Sequence, residues 1–260
     1  MRVATLHDVT TPAADGTLIV HEGWRQGRGA YGGLTIAAAI RAIEQRVADP
    51  RRKVRTVTAE IPGPTVPGPA SFTVDVLRSG NSVTVARAAL TQAGEVTTHV
   101  VAVLAAARDI TDPPAWCELE RPIAAAWDSL APLPAEALPD FARHFEYRLV
   151  SGVPYTRGAA QTIGWVRPRA AGPSRDAAYL AAMIDAWWPA AMVRASAPRP
   201  LATIAFTLEI VDAADVGDAP LLYRGTVPVA GDGYFFETRE LWTGDGRLLA
   251  INHQTFAVIR

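Results

Sequence analysis

The stretch from Ala177 to Met192, AAYLAAMIDAWWPAAM, constrains the fold more than any other part of the chain. Its composition predicts a helix that is apolar on every side, and such a helix must be wrapped by other elements. One carboxylate, Asp185, is set into it. The positions three and four residues away are Ala181, Ala182, Trp188 and Pro189, so no cation lies within reach along the helix. The ionised form therefore depends on hydrogen bonds from elsewhere or on water. Two readings stand at this point: Asp185 belongs to a functional site, or it lies on a wetted helix edge and caps a neighbouring segment.

The elements before this helix are read from hydrophobic period and turn residues. Thr17–Trp24 is a strand, Gln26–Gly33 a glycine-rich turn, and Leu34–Val47 a second helix whose first turns are small and apolar all round. Strands are expected over Val54–Ile61, Ser71–Leu77, Val83–Thr91 and Val96–Ala106, the last three joined by short turns into antiparallel hairpins. Residues 109–140 are dense in proline and without a sustained period, which marks a linker. Beyond it the same order recurs, with strands at His144–Val150, Ala160–Arg167, Leu201–Val211, Leu221–Pro228, Tyr234–Trp242 and Arg247–Ile259. Aligning the turns at Gly94 and Gly246 gives an offset of 152 and lays the closing hairpins of the two halves on one another. This pattern implies a tandem duplication. The expected architecture is α+β, a double hotdog: one unit over residues 1–108 and another over 141–260, each a long central helix wrapped by an antiparallel sheet, with the linker at 109–140.

Composition excludes more than it assigns. Lys+Arg 25 against Asp+Glu 26 leaves a formal charge of -1, and the one basic run is Arg51-Arg52-Lys53, so neither nucleic acid nor an anionic membrane is an expected partner. The single cysteine, Cys117, rules out an internal disulfide and a thiolate metal cluster, and His7, His21, His99, His144 and His253 have no metal-ligand spacing. No metal and no cofactor are expected. The N-terminus carries no signal-peptide core and no apolar run reaches membrane-spanning length, which predicts a cytoplasmic protein.

The motif Gly27-Arg-Gly-Ala-Tyr-Gly32 matches G-x-G-x-x-G, but it leads into a helix and then a run of hairpins, where a dinucleotide fold needs alternating strands and helices. The glycines are better read as letting a buried helix start close against a sheet, with N–H groups left open to a ligand. No G-x-S-x-G elbow is present, and Cys117 stands in the linker without a neighbouring histidine, so covalent catalysis is not expected.

Tyr31-Gly32-Gly33 opening the first helix, Val76-Leu-Arg-Ser-Gly-Asn-Ser82 leading into a long hairpin, Asp185 in the second helix, Ala202-Thr203-Ile204 opening a strand and Gln254 in the last strand together resemble the type II acyl-CoA thioesterases, over most of the chain. The resemblance implies that Asp185, Thr203 and Gln254 orient a water on a thioester carbonyl, and that Tyr31, Gly32 and Gly33 line the substrate; Trp187 and Trp188 are also expected to line it, because they flank the one carboxylate of the buried helix. It implies an acyl-CoA or acyl-carrier thioester as partner, a place in fatty-acid metabolism, and a homo-oligomer. Two departures stand out: Ala205-Phe206 follow Thr203-Ile204, where relatives carry an acidic residue and a histidine, and the bulky pair Trp187-Trp188 stands beside the acid. At the offset of 152, Gln254 falls opposite Ala102; the first helix is expected to offer only alanines where a counterpart of Asp185 would lie, so the first half is expected to lack chemistry. Trp187 and Trp188 either fill the core or shorten an acyl tunnel. The alternatives within this reading are a hydratase or dehydratase on an enoyl or hydroxyacyl thioester, and a non-catalytic acyl-thioester binder. His253, next to Gln254 on a strand, is expected to face the other side of the sheet.

Overall fold

The computed structural model describes residues 4–108, 111–134, 136, 138–212 and 216–259. Residues 109, 110, 135 and 137 of the expected linker, and with them its N-terminal boundary, lie outside the described residues, as do 1–3, 213–215 and Arg260.

In chain order the elements are α1 (Leu6–Val9), β1 (Thr17–Val20), β2 (Arg25–Gln26), β3 (Gly29–Ala30), α2 (Gly32–Val47), β4 (Lys53–Glu60), β5 (Gly68–Ser79), β6 (Val83–Gln92) and β7 (Glu95–Ala105). The second half supplies β8 (Phe145–Ser151), β9 (Gln161–Pro168), α3 (Ala177–Asp185), α4 (Ala191–Arg194), β10 (Leu201–Ile210), β11 (Leu221–Gly231), β12 (Tyr234–Trp242) and β13 (Leu248–Val258). Apart from the β2–β3 ribbon these strands form one antiparallel sheet in the order β1-β5-β6-β7-β4-β10-β13-β12-β11-β9-β8. The halves join where β4 pairs with β10, with Thr58 opposite Thr207.

The two helices lie side by side inside this sheet and run antiparallel. The start of α2 meets the end of α3 at Gly33 and Asp185, and Arg41 further along α2 pairs with Asp176, the N-cap of α3, at 2.8 Å. From Gly33 to Ile43, and over all of α3, every residue is buried, as the apolar composition requires.

The second helix is shorter than its sequence suggests. The expected span ran to Met192, but α3 ends at Asp185, and the chain turns before resuming as the single turn α4. Pro189 explains the break: it lacks an N–H, its ring crowds the preceding turn, and it pushes Trp188 away from helical dihedrals. Only the helix of the first half is long.

The linker is exposed over residues 111–120 and partly packed beyond them. Trp127 lies under the guanidinium groups of Arg148 and Arg167, at 4.2 and 4.8 Å from its ring centre. The Trp165 indole N–H donates to Ala125 O at 3.0 Å, and Leu133 N–H to Tyr147 O at 2.9 Å. Among the described residues no helix is long and apolar enough to cross a membrane.

Candidate active site

Asp185 is the last residue of α3 and sits against the first turn of α2. Gly33 N–H donates to its Oδ2 at 2.6 Å, and the Gln254 amide donates to its Oδ1 at 2.8 Å. The helix itself offers Asp185 no cation; the fold brings one from β12. Arg239 Nη1 stands 3.1 Å from Asp185 Oδ1, and both side chains are almost wholly buried, 1 % and 6 % exposed. A carboxylate at a helix C-terminus is unfavourably placed, whereas the N-terminus of α2 favours it through unpaired N–H groups and the macrodipole.

The glycines allow this approach. A Cβ on Gly33 would stand 2.9 Å from Asp185 Cβ and 3.2 Å from Ala182 Cα, and one on Gly32 would meet Ile61 at 2.9 Å and Asp185 Oδ2 at 3.2 Å. They were expected to fit the helix against the sheet; they fit it chiefly against the other helix. The N–H of Gly33, expected to be open to a ligand, is occupied by Asp185 itself.

Gln254 lies on the inner face of β13 and its hydrogen-bonding capacity is largely spent in one network. Nε2 donates to Asp185 and, at 2.9 Å, to Asn252 Oδ1, while Oε1 accepts from Thr203 Oγ1 at 3.1 Å. Asn252 in turn donates to Thr207 O at 2.7 Å, which fixes both amide orientations. Thr203 reaches the inner face through a bulge. The register of β10 slips between Thr203 and Ala205, so Thr203 pairs with inward-facing Phe256 and Ile204 is turned out, 37 % exposed. Strict alternation from Phe206 would have put Ile204 inside and Thr203 outside. His253 is exposed, with Thr238 Oγ1 3.4 Å from its ring, on the face away from Asp185 as expected.

Arg239 and Glu237 escape a reading of the sequence. Arg239 Nε donates to Glu237 Oε1 at 2.9 Å, Tyr223 Oη donates to the same oxygen at 3.0 Å, and Ala190 N–H donates to Glu237 Oε2 at 2.9 Å. A signal existed: Glu237 and Arg239 occupy alternate positions of a strand whose same-face neighbours are Phe235 and Leu241, the pattern of a buried ion pair. Burial pushes the Asp185 carboxyl above its ordinary range, against the opposing pull of Arg239, Gln254 and the Gly33 N–H. Burial likewise raises Glu237, opposed first by Arg239. Arg239 stays charged between two carboxylates.

Of the residues expected to line the substrate, Tyr31 is fully buried, its ring stacked on Phe141 at 4.4 Å, and its hydroxyl has no hydrogen-bond partner among the described residues. Burial raises it, and the nearby charge of Asp185 adds to this. Trp187 is core. It stacks on Tyr223 at 5.4 Å, meets Tyr147 edge-on, and lies so close to β9 that any side chain on Gly164 would collide with it. Trp188 is half-buried, with its indole N–H donating to Thr162 Oγ1 at 3.2 Å.

Among the described residues the first half has no counterpart of this network. Asp185 and Ile40 each lie eight residues past the first residue of their helix, so the place of the acid is taken by isoleucine, not by the expected alanine, with Ala37–Ala39 just before it. Ala102 is flanked across the sheet by Ala86 and Val57, all fully buried.

Comparison with known proteins agrees with this architecture. A hot dog fold protein from Alicyclobacillus acidocaldarius superposes with a TM-score of 0.88 at 24 % identity over 98 % of each chain. The tesB protein of Mycobacterium avium subspecies paratuberculosis does so at 0.77 and 17 % identity, over 98 % of both chains. Acyl-CoA thioesterase II TesB2 of Mycobacterium marinum gives 0.69 at 22 % identity and 88 % coverage of each. No curated protein matches the chain. The fold is a double hotdog. Residues 20–108 match the acyl-CoA thioesterase N-terminal domain and residues 120–258 the acyl-CoA thioesterase C-terminal domain; the chain belongs to this family and is a thioester hydrolase.

Proposed function

We propose that the chain hydrolyses acyl-CoA thioesters with water activated by Asp185. The observation that carries this reading is the convergence of Gln254, Gly33 and Arg239 on one buried carboxylate, with Thr203 bonded to Gln254. Asp185 Oδ1 has two donors and Oδ2 one, which leaves an acceptor position on Oδ2 for the attacking water. Asp185 takes a proton as the water oxygen bonds to the thioester carbon. Gly32, whose N–H at the first position of α2 has no intrahelical partner, adjoins Oδ2 and supplies a donor for the developing oxyanion. Collapse of the tetrahedral intermediate breaks the C–S bond, and the thiolate leaves with the proton held on Asp185. Thr203 holds Gln254, and Gln254 holds the carboxylate. Hydration or dehydration of an enoyl thioester is less well supported, since the histidine nearest in sequence to Gln254 faces the other side of the sheet.

The test is release of free thiol from a panel of acyl-CoAs by wild type and Asp185→Asn. The variant keeps Arg239 paired with Glu237, folds, and loses roughly two or more decades in kcat. Near wild-type turnover by the folded variant removes Asp185 from the reaction.

A further inference from the structure

Arg157, Arg194 and Arg199 converge, with Ser196, on one cavity of about 550 Å³. All three are exposed, and none makes an ion pair or hydrogen bond among the described residues. Their convergence is built by the fold. The loop that carries Arg157 is tied to α4, with Tyr155 N–H donating to Met192 O at 2.7 Å and Gly158 N–H to Val193 O at 3.2 Å. Tyr155 and Arg157 both hold left-handed backbone angles, φ 65° and 61°, which costs non-glycine residues free energy and persists only where surrounding contacts impose it. Three guanidinium groups facing one space without a carboxylate repel one another, and a polyanion relieves that repulsion.

Arg194 and Arg199 also line an adjoining groove of about 840 Å³ whose walls include Ala191, Val227, Val229 and Phe235. The sheet register relates one wall residue of this groove, Phe235, to the catalytic network. Thr203 is opposite Phe256, and Phe256 is opposite Phe235. Cross-strand partners share a face, so Phe235 lies two strands from Thr203 on the inner side, about 10 Å away at the usual strand spacing.

We infer that Arg157, Arg194 and Arg199 bind the phosphate groups of coenzyme A, and that the groove beside Phe235 carries its pantetheine arm toward Asp185. This inference rests on the reading of the chain as an acyl-CoA hydrolase. A concave cavity of this size fits a nucleotide with several phosphates.

The test compares wild type with Arg157→Gln/Arg194→Gln/Arg199→Gln by calorimetric binding of coenzyme A and of pantetheine, which has no phosphate. The substituted side chains are exposed and the variant folds as wild type by circular dichroism. Its Kd for coenzyme A rises at least roughly tenfold, while pantetheine binding is unchanged. In turnover, KM for acyl-CoA rises by a similar factor at constant kcat, and kcat/KM for the acyl-N-acetylcysteamine thioester stays at the wild-type value. Unchanged coenzyme A affinity overturns the inference, and so does a variant that loses turnover only on acyl-carrier protein, which would make the arginines a protein-docking patch. A wild type that binds coenzyme A through these arginines yet hydrolyses no thioester leaves the site standing and removes the proposed reaction instead.

Discussion

At the scale of single residues, Arg239 sets the charge state on which the proposed chemistry depends. Asp185 is raised by burial, and the largest opposing influence is Arg239, ahead of Gln254 and the Gly33 N–H. The other ionisable groups around it are Tyr31, Tyr147, Tyr223 and Glu237. A general base must be ionised, so activity falls as pH drops through the Asp185 pKa, and the acidic limb of kcat/KM lies above the ordinary carboxylate range. Arg239→Met removes the favourable charge and moves that limb to higher pH. Glu237→Gln removes the carboxylate that competes for Arg239 and moves it to lower pH, with the fold kept by the amide. Limbs that stay in place in both variants would make Arg239 a structural residue only. None of this was legible from Asp185 and its helix, because the cation lies 54 residues away on a strand. Thr203 and Gln254 could be picked out by resemblance, but nothing in Thr-Ile-Ala-Phe announces the bulge that turns Thr203 inward.

At the scale of elements, α2 carries two testable consequences of its position. Gly33→Ala improves helix propensity by about 1 kcal/mol, yet its methyl group would stand 2.6 Å from the Tyr31 ring and 2.9 Å from Asp185 Cβ. The clash wins. The variant is destabilised by about 1–3 kcal/mol and loses activity together with stability, measured by thermal melt and thiol release. A variant more stable than wild type would show that the two helices have slack. At the other end of α2, burial lifts Glu44 from 4.5 to about 7, with Asp176 adding to the shift and Arg41 and Lys53 opposing it. A raised carboxyl contributes stability that is complete below its unfolded pKa and is lost as pH rises through the folded value. Glu44→Gln therefore raises Tm at pH 8 by a few degrees, about 1–2 kcal/mol after allowance for partial exposure, and changes little at pH 4. An equal gain at both values would point to packing. The span of α2 and most strand limits are legible from apolar period and turn residues, because those signals are local. The end of α3 is not, because the apolar composition continues past Asp185 while Pro189 ends the helix.

At the scale of the whole molecule, two halves of like fold carry unequal parts of the proposed chemistry. Ala102→Ser places a hydroxyl in the first half where Gln254 stands in the second and leaves kcat near wild type, whereas Gln254→Ala lowers it steeply; parallel effects in a thiol-release assay would mean two working sites. The repeated order of elements was legible as an offset in sequence. What the offset alone did not show is that Gly33 and Asp185, 152 residues apart, are bonded to each other, so the half without the acid still completes its setting. The network is therefore a product of association. In two separate chains its formation would be second order in concentration, and dilution would dissolve it. Joined in one polypeptide, the partner is held at an effective concentration set by the tether, and each new molecule assembles one equipped half with one complementary half, at any dilution.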